Sequence, residues 1–269
     1  MRRNAGYLAL SLTLVLALAV VGCGSGEETP AADEQANTPA AAEGGDAAVP
    51  PAGATEPDAV AEGGSPLFDP RHPEMNQQAP DTYRAGFNTS AGNFVVEVHR
   101  EWSPAGADRF YNLVSNGYYD GTRFFRVLED FIAQWGIHGD PEVSAAWAGA
   151  TIPDDPVVQG NVRGTITYAM GGPNTRTTQV FLNFKDNAYL DSSGFSAFGE
   201  VVEGMEVVDS LHKGYGEGAP QGNGPEQWKI HEEGNAYLES SFPELDYVIE
   251  ARIIQQGGQA EAAARPTSP

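Results

Sequence analysis

Residues 119–136 read Tyr119-Asp120-Gly121-Thr122-Arg123-Phe124-Phe125-Arg126-Val127-Leu128-Glu129-Asp130-Phe131-Ile132-Ala133-Gln134-Trp135-Gly136. Aromatic and branched residues dominate the runs 123–128 and 131–137, as expected of two short strands. Outward from this stretch, 83–87 and 93–99 form another strand pair around a turn at Ser90-Ala91-Gly92, and Phe94, Val96 and Val98 alternate onto one face. Ser103 before Pro104 predicts a serine-capped helix with proline at its first position, running to about Ser115 and stopped by Asn116-Gly117. Phe110, Leu113 and Val114 would face inward. A long Gly-, Asp- and Pro-rich connection then precedes strands at 164–170, 179–184 and 196–202. Glu203-Gly204 turns into a short helix over about 205–212, and 247–254 reads as a last strand. Many short strands with two helices predict a mainly β fold, a closed antiparallel β-barrel capped by the helices.

The rest of the 269 residues divides by composition. The expected organisation is a signal peptide at 1–22, a tether at 23–66, a linker at 67–80, a folded domain at 81–256 with an insert at about 214–246, and a disordered tail at 257–269. The folded part, about 190–200 residues, is long enough for one domain with a sizeable core. A formal net charge of -22 argues against nucleic acid as a partner, because no basic surface is available to release counterions. It argues equally against a polybasic hold on anionic lipid. The chain is expected to act as a monomer.

Arg2 and Arg3 precede an apolar stretch, 8–21, interrupted by Ser11 and Thr13. That is too short to span a bilayer comfortably and suits the apolar part of a signal peptide. It ends at Val20-Val21-Gly22-Cys23, which resembles the bacterial lipobox; in such proteins cleavage falls before the cysteine and the thiol carries a diacylglycerol. Cys23 is the one cysteine of the chain, so it can make neither an internal disulfide nor a cysteine metal site. Two or more acyl chains, at ~0.8 kcal/mol per buried methylene, anchor a protein durably. Gly24, not Asp, follows, which in a diderm bacterium resembles lipoproteins sorted to the outer membrane. The expected location is therefore extracytoplasmic, lipid-anchored to a bacterial membrane, on the periplasmic face of the outer membrane if the cell is diderm. The acidic Ala/Pro/Gly tether lacks the apolar residues needed to offset the entropy of ordering.

Several ordered motifs in the folded part resemble the cyclophilins. The run 119–128 leading into Phe131-Ile132-Ala133-Gln134-Trp135-Gly136 is similar to that family's aromatic–Arg–aliphatic segment followed by Phe-Met-x-Gln-x-Gly. Gly164 through Thr175, with Ala169 and Gly172-Pro173-Asn174-Thr175, resembles Gly-x-x-x-x-Ala-x-x-Gly-Pro-Asn-Thr. Gln179-Val180-Phe181, Leu190-Asp191, Phe198-Gly199-Glu200-Val201 and Glu203-Gly204-Met205 follow in family order. The resemblance spans about 83–211 plus the final strand, and several motifs in sequence are far more specific than any one. It implies a cyclophilin-like barrel and peptidyl-prolyl cis/trans isomerase activity on proline-containing polypeptides.

That reaction needs no nucleophile, metal or cofactor, because no covalent bond changes. Rotating an X–Pro bond breaks amide resonance across ~18–20 kcal/mol and takes tens to hundreds of seconds uncatalysed. A dry pocket for the proline ring and a cation beside the prolyl nitrogen, whose lone pair emerges as the amide twists, favour the twisted state over the planar one. The resemblance casts Arg126 as that cation and Gln134 as the residue that fixes it and the substrate carbonyl. Phe131, Ile132, Phe181 and Leu190 would form the proline pocket, with Ala169, Met170, Gln179, Tyr189 and Phe195 completing the substrate-binding surface. Three positions depart from the family pattern: Tyr189 stands where tryptophan is frequent, Phe195 falls at about the place of a pocket histidine, and Met170 replaces an asparagine. The Phe195 departure keeps a second reading open, a non-catalytic proline-peptide-binding or scaffold module.

Other features carry less. His72, His99, His138, His212 and His231 are dispersed without metal-ligand spacing. Asp154-Asp155 between prolines reads as a solvated loop. Residues 214–225 are glycine-rich but lack the Lys-Ser/Thr ending of a phosphate cradle, and read as a linker. Tyr237, Leu238, Phe242 and Leu245 of the insert are expected to pack on the barrel exterior.

Overall fold

The computed structural model describes residues 64–256. The segments expected to be a signal peptide, a lipidated Cys23, a tether and a tail lie, for residues 1–63 and 257–269, outside the described residues.

Strands β1 (Thr82–Thr89) and β2 (Gly92–His99) form the hairpin their alternation predicts. Gly92, at φ 135°, closes its turn. Tyr83, Ala85 and Phe87 of β1 and Phe94, Val96 and Val98 of β2 point into the core, and Phe87 stacks on its cross-strand partner Phe94 with ring centroids 4.8 Å apart.

Helix α1 (Pro104–Ser115) begins at the predicted proline and buries Phe110, Leu113 and Val114. Its cap differs from expectation. The Ser103 side chain makes no capping bond; it donates instead to Asp155 Oδ2 at 2.6 Å. The Asp155 carboxylate accepts from the amides of Ala105 (3.2 Å) and Gly106 (3.1 Å), so it caps the helix from 50 residues away. Arg176, 1% exposed, donates to the same carboxylate at 3.0 Å and lies 3.5 Å from Asp154. The Asp154-Asp155 pair is therefore a helix cap and counter-charge for a buried arginine rather than a solvated loop.

The remaining strands are β3 (Arg126–Leu128), β4 (Ile132–Trp135), β5 (Thr165–Tyr168), β6 (Val180–Asn183), β7 (Ala197–Glu203) and β8 (Val248–Gln256). All eight join one antiparallel sheet in the order β3-β4-β6-β5-β7-β2-β1-β8. The sheet curls around one core, but no ladder closes it into the expected barrel. Its edges meet through a single bridge, Arg123 to Tyr247, flanked by amide bonds from Phe124 to Asp246 O and from Val248 to Thr122 O, each 2.9 Å. Between the Arg123 bridge and the start of β3 at Arg126 the pairing does not continue, so the two edge strands β3 and β8 form no ladder with each other.

The two-helix expectation is also corrected, since five α-helices occur among the described residues. Helix α2 (Pro141–Trp147) arises in the long connection, where Asp140 caps Glu142 N at 2.8 Å and Pro141 takes the first position. Helix α3 (Tyr189–Ser192) is one turn, and α4 (Met205–Ser210) is the second predicted helix. Helix α5 (Gln227–Ser241) lies in the insert and kinks at Gly234, whose φ of 60° and close approach to the Gly139 carbonyl oxygen leave no room for a side chain. Tyr237, Leu238, Phe242 and Leu245 pack with Ile230, Phe125 and Ile137 in a second apolar cluster. The stretch read as a linker, 67–80, is packed as well: Met75 and Ala79 are buried, and Trp147 Nε1 donates to Leu67 O at 2.7 Å.

The Asp155 cap makes a testable demand. Removing one member of a buried ion pair typically costs about 3–5 kcal/mol, so Asp155→Ala should lower the urea midpoint strongly, whereas Ser103→Ala, which removes a single hydrogen bond to that carboxylate, should cost about 1.5–3 kcal/mol. Burial raises the Asp155 carboxyl, but hydrogen bonds from Ser103, Arg176 and two amides outweigh it and hold the group below 3.8. Its contribution is thus complete above the ordinary carboxylate range and is lost as pH falls through the depressed folded value. Similar acid unfolding of wild type and Asp155→Ala would contradict this.

Candidate functional site

Strand register builds the site. Arg126 on β3 pairs with Gln134 on β4, which pairs with Phe181 on β6. Residues opposite one another on neighbouring strands share a face, so all three side chains emerge on one side of the sheet. Alternation sends their neighbours Val127, Ala133, Trp135, Val180 and Leu182 to the core. Strand β4 is buried on both faces for this reason, and its apolar run would not by itself distinguish core from site.

On the site face lies a third apolar cluster of Ile132, Phe181 and Leu190, with Phe131, Ala169 and Phe195 against it. These residues line a hollow of about 530 Å³ together with Arg126, Gln134, Met170 and Gln179. Phe181 and Phe195 meet edge-on at 5.9 Å. The Arg126 guanidinium carbon stands 5.7 Å above the Phe131 ring. Arg126 Nη1 donates to Gln134 Oε1 at 3.1 Å, and Gln134 Nε2 donates to Gln179 Oε1 at 2.9 Å. The glutamine's orientation is thereby fixed from both ends. One wall is apolar and the opposite rim carries a cation and two amides, so the hollow can grip an apolar ring while donating to a polar atom beside it.

Of the predicted site residues, Arg126, Phe131, Ile132, Gln134, Ala169, Met170, Gln179, Phe181, Leu190 and Phe195 all line this hollow. Tyr189 does not. It is 59% exposed and stacks on Phe131 from outside, centroids 6.1 Å apart, so it braces the rim. Cys23 lies outside the described residues.

Sequence reasoning missed several lining residues: Gly171, Thr175, Thr177, Gln227 and, above all, Glu217. The segment read as a linker folds over the hollow, and Glu217 takes Arg126 bidentately, with Nε to Oε1 at 2.7 Å and Nη2 to Oε2 at 2.6 Å. Gly218 N donates to the same carboxylate at 3.1 Å. Burial raises the Glu217 carboxyl, but the Arg126 hydrogen bonds and charge and the Gly218 amide outweigh it and hold it below its ordinary value. The one signal in the sequence was an isolated acid between two glycines, Gly216-Glu217-Gly218.

Comparison with known proteins bears on the family of the chain. Residues 84–232 match the family described as cyclophilin type peptidyl-prolyl cis-trans isomerase/CLD. The chain is 36% identical over 146 residues to the peptidyl-prolyl cis-trans isomerase cyp18 of Streptomyces antibioticus, covering 51% of this chain and 86% of that one. It is 34% identical to a peptidyl-prolyl cis-trans isomerase of Acinetobacter baylyi, over 46% of this chain and 68% of that one. A solved cyclophilin type peptidyl-prolyl cis-trans isomerase of Cryptosporidium parvum superposes with a TM-score of 0.48 at 20% identity, over 64% of this chain and 97% of that one. With more than half of its residues matched, and with the site residues assembled on one sheet face, this chain belongs to the cyclophilin-type peptidyl-prolyl cis-trans isomerase family.

Proposed function

We propose that the hollow binds the proline ring of an X–Pro segment and that Arg126 drives rotation of the bond. The observation that carries this reading is a guanidinium held at the rim of an apolar hollow, with Nη1 directed by Gln134. Phe131, Ile132, Phe181, Leu190 and Phe195 form the seat for the pyrrolidine ring. Ala169 lets the peptide backbone lie close, while Met170 and Gln179 flank it. As the amide twists, its nitrogen pyramidalises and gains a lone pair, and Arg126 donates to that atom. This interaction is absent from the planar ground state, so it lowers the barrier rather than merely tightening binding. Gln134 acts by orienting the arginine, since its own amide is anchored on Gln179.

The test is the isomerisation rate of a short X–Pro peptide with the full chain. Wild type should turn over well above the uncatalysed rate. Arg126→Ala should reduce kcat about 10²–10³-fold, the scale seen when one preorganised donor to a developing charge is removed. A folded wild-type chain that binds the peptide without accelerating it would leave the proline-peptide-binding module as the correct reading.

We further propose that the enzyme works outside the cytoplasm on a lipid anchor at Cys23, meeting proline-containing polypeptides there. The order of Arg2 and Arg3, the apolar stretch 8–21 and Gly22-Cys23 supports this reading, as does the acidic tether that follows. On expression in a bacterial host, wild type should incorporate labelled fatty acid and partition into detergent, and Cys23→Ala should do neither. Equal labelling of the two would refute the anchor.

A further inference from the structure

The insert does more than pack on the sheet. Residues 213–226 turn back on themselves through Gly222 N to Gly218 O (3.0 Å) and Gly224 N to Glu217 O (2.7 Å). This fold presents Glu217 to Arg126. The arginine stands between two hollows, the site itself and a neighbouring one of about 580 Å³ lined in part by Pro220, Pro225 and Trp228. Arg126, Glu217 and Gln227 line both hollows, so the ion pair lies on the boundary between them. Without a second anchor the long, rotamer-rich arginine would have space to swing to either side. A guanidinium offers five N–H donors in a rigid fork. Glu217 engages Nε and Nη2, and Gln134 engages Nη1.

We propose that Glu217 is a positioning residue for isomerisation: by taking the Nε/Nη2 edge of Arg126 it turns the Nη1 edge toward the proline-binding hollow. This rests on the reading of Arg126 given above and extends it to a segment that the sequence presents as a spacer. The carboxylate is itself preorganised, since the Gly218 amide and both arginine nitrogens converge on it. Glu217 lines the rim of the hollow, and its role in this proposal is exerted through Arg126.

The experiment is a double-mutant cycle in the full chain, with kcat and KM measured separately. Glu217→Ala should lower kcat roughly ten- to hundredfold, the cost of a small misplacement of a catalytic group, while KM moves by no more than roughly twofold. Glu217→Gln, which keeps the volume and one of the two bonds, should fall between wild type and Glu217→Ala. In an Arg126→Lys background Glu217→Ala should add nothing, because an ammonium cannot be held by two parallel bonds. Equal losses in both backgrounds would show that Glu217 only braces its loop, and a rise in kcat would show a brake; either overturns the proposal. A wild-type chain with no turnover overturns the catalytic reading of Arg126 and this one with it. Wild-type turnover with equal losses overturns this one alone.

Discussion

The antiparallel register of three strands, Arg126 opposite Gln134 opposite Phe181, is the constraint on which the site depends. A slip of one residue in any of these pairings would turn every side chain of that strand to the opposite face. Arg126 would then point into the core among Trp135 and Phe124, and the apolar seat would lose Phe181. The core guards against such a slip, because Val127, Ala133, Trp135, Val180 and Leu182 must all stay inside. Packing on one face thus enforces chemistry on the other, and stability and function are coupled through the pleat.

Around that register the key polar side chains are held by specific partners. The site arginine is fixed by Gln134 and Glu217, and Gln134 by Gln179. The buried Arg176 is fixed by Asp155, which also caps α1. The insert clips onto the sheet's flank through its own apolar cluster and through Asn235, whose amide nitrogen donates to Gly139 O at 2.9 Å and whose side chain donates to Gly121 O at 3.0 Å. That attachment brings Glu217 over the hollow. Among the many carboxylates of this acidic chain, Asp155 and Glu217 each hold a guanidinium that is mostly buried.

Legibility from sequence followed the range of the interaction. Strands and their inward faces were readable, because alternation is local: Phe94, Val96 and Val98 announce themselves. The site residues were readable through ordered motifs, and ten of the predicted side chains line one hollow. What was not readable depends on distant partners. The Ser103 cap is a sound local inference overridden by Asp155, 52 residues on. Glu217 meets Arg126 across 91 residues, so nothing beside it in the sequence distinguishes it from any acid in a glycine-rich loop. Tyr189, assigned to the substrate-binding surface because it stands where tryptophan is frequent, lies at the rim against Phe131, since the single turn of α3 puts it and Leu190 on different sides. Closure of the barrel failed as an expectation because the edge strands β3 and β8 pair with β4 and β1, and a single bridge joins the stretches beside them.

The central claim is that one hollow both seats the proline ring and turns the bond. Exchange spectroscopy on an Ala-Pro peptide, with catalytic amounts of the full chain and amide shifts of the chain followed together, tests it most directly. The account predicts cis–trans exchange cross-peaks in the peptide together with shifts at Phe131, Gln134, Ala169 and Phe181. Exchange with shifts confined elsewhere on the surface, or shifts at these residues without exchange, would contradict it.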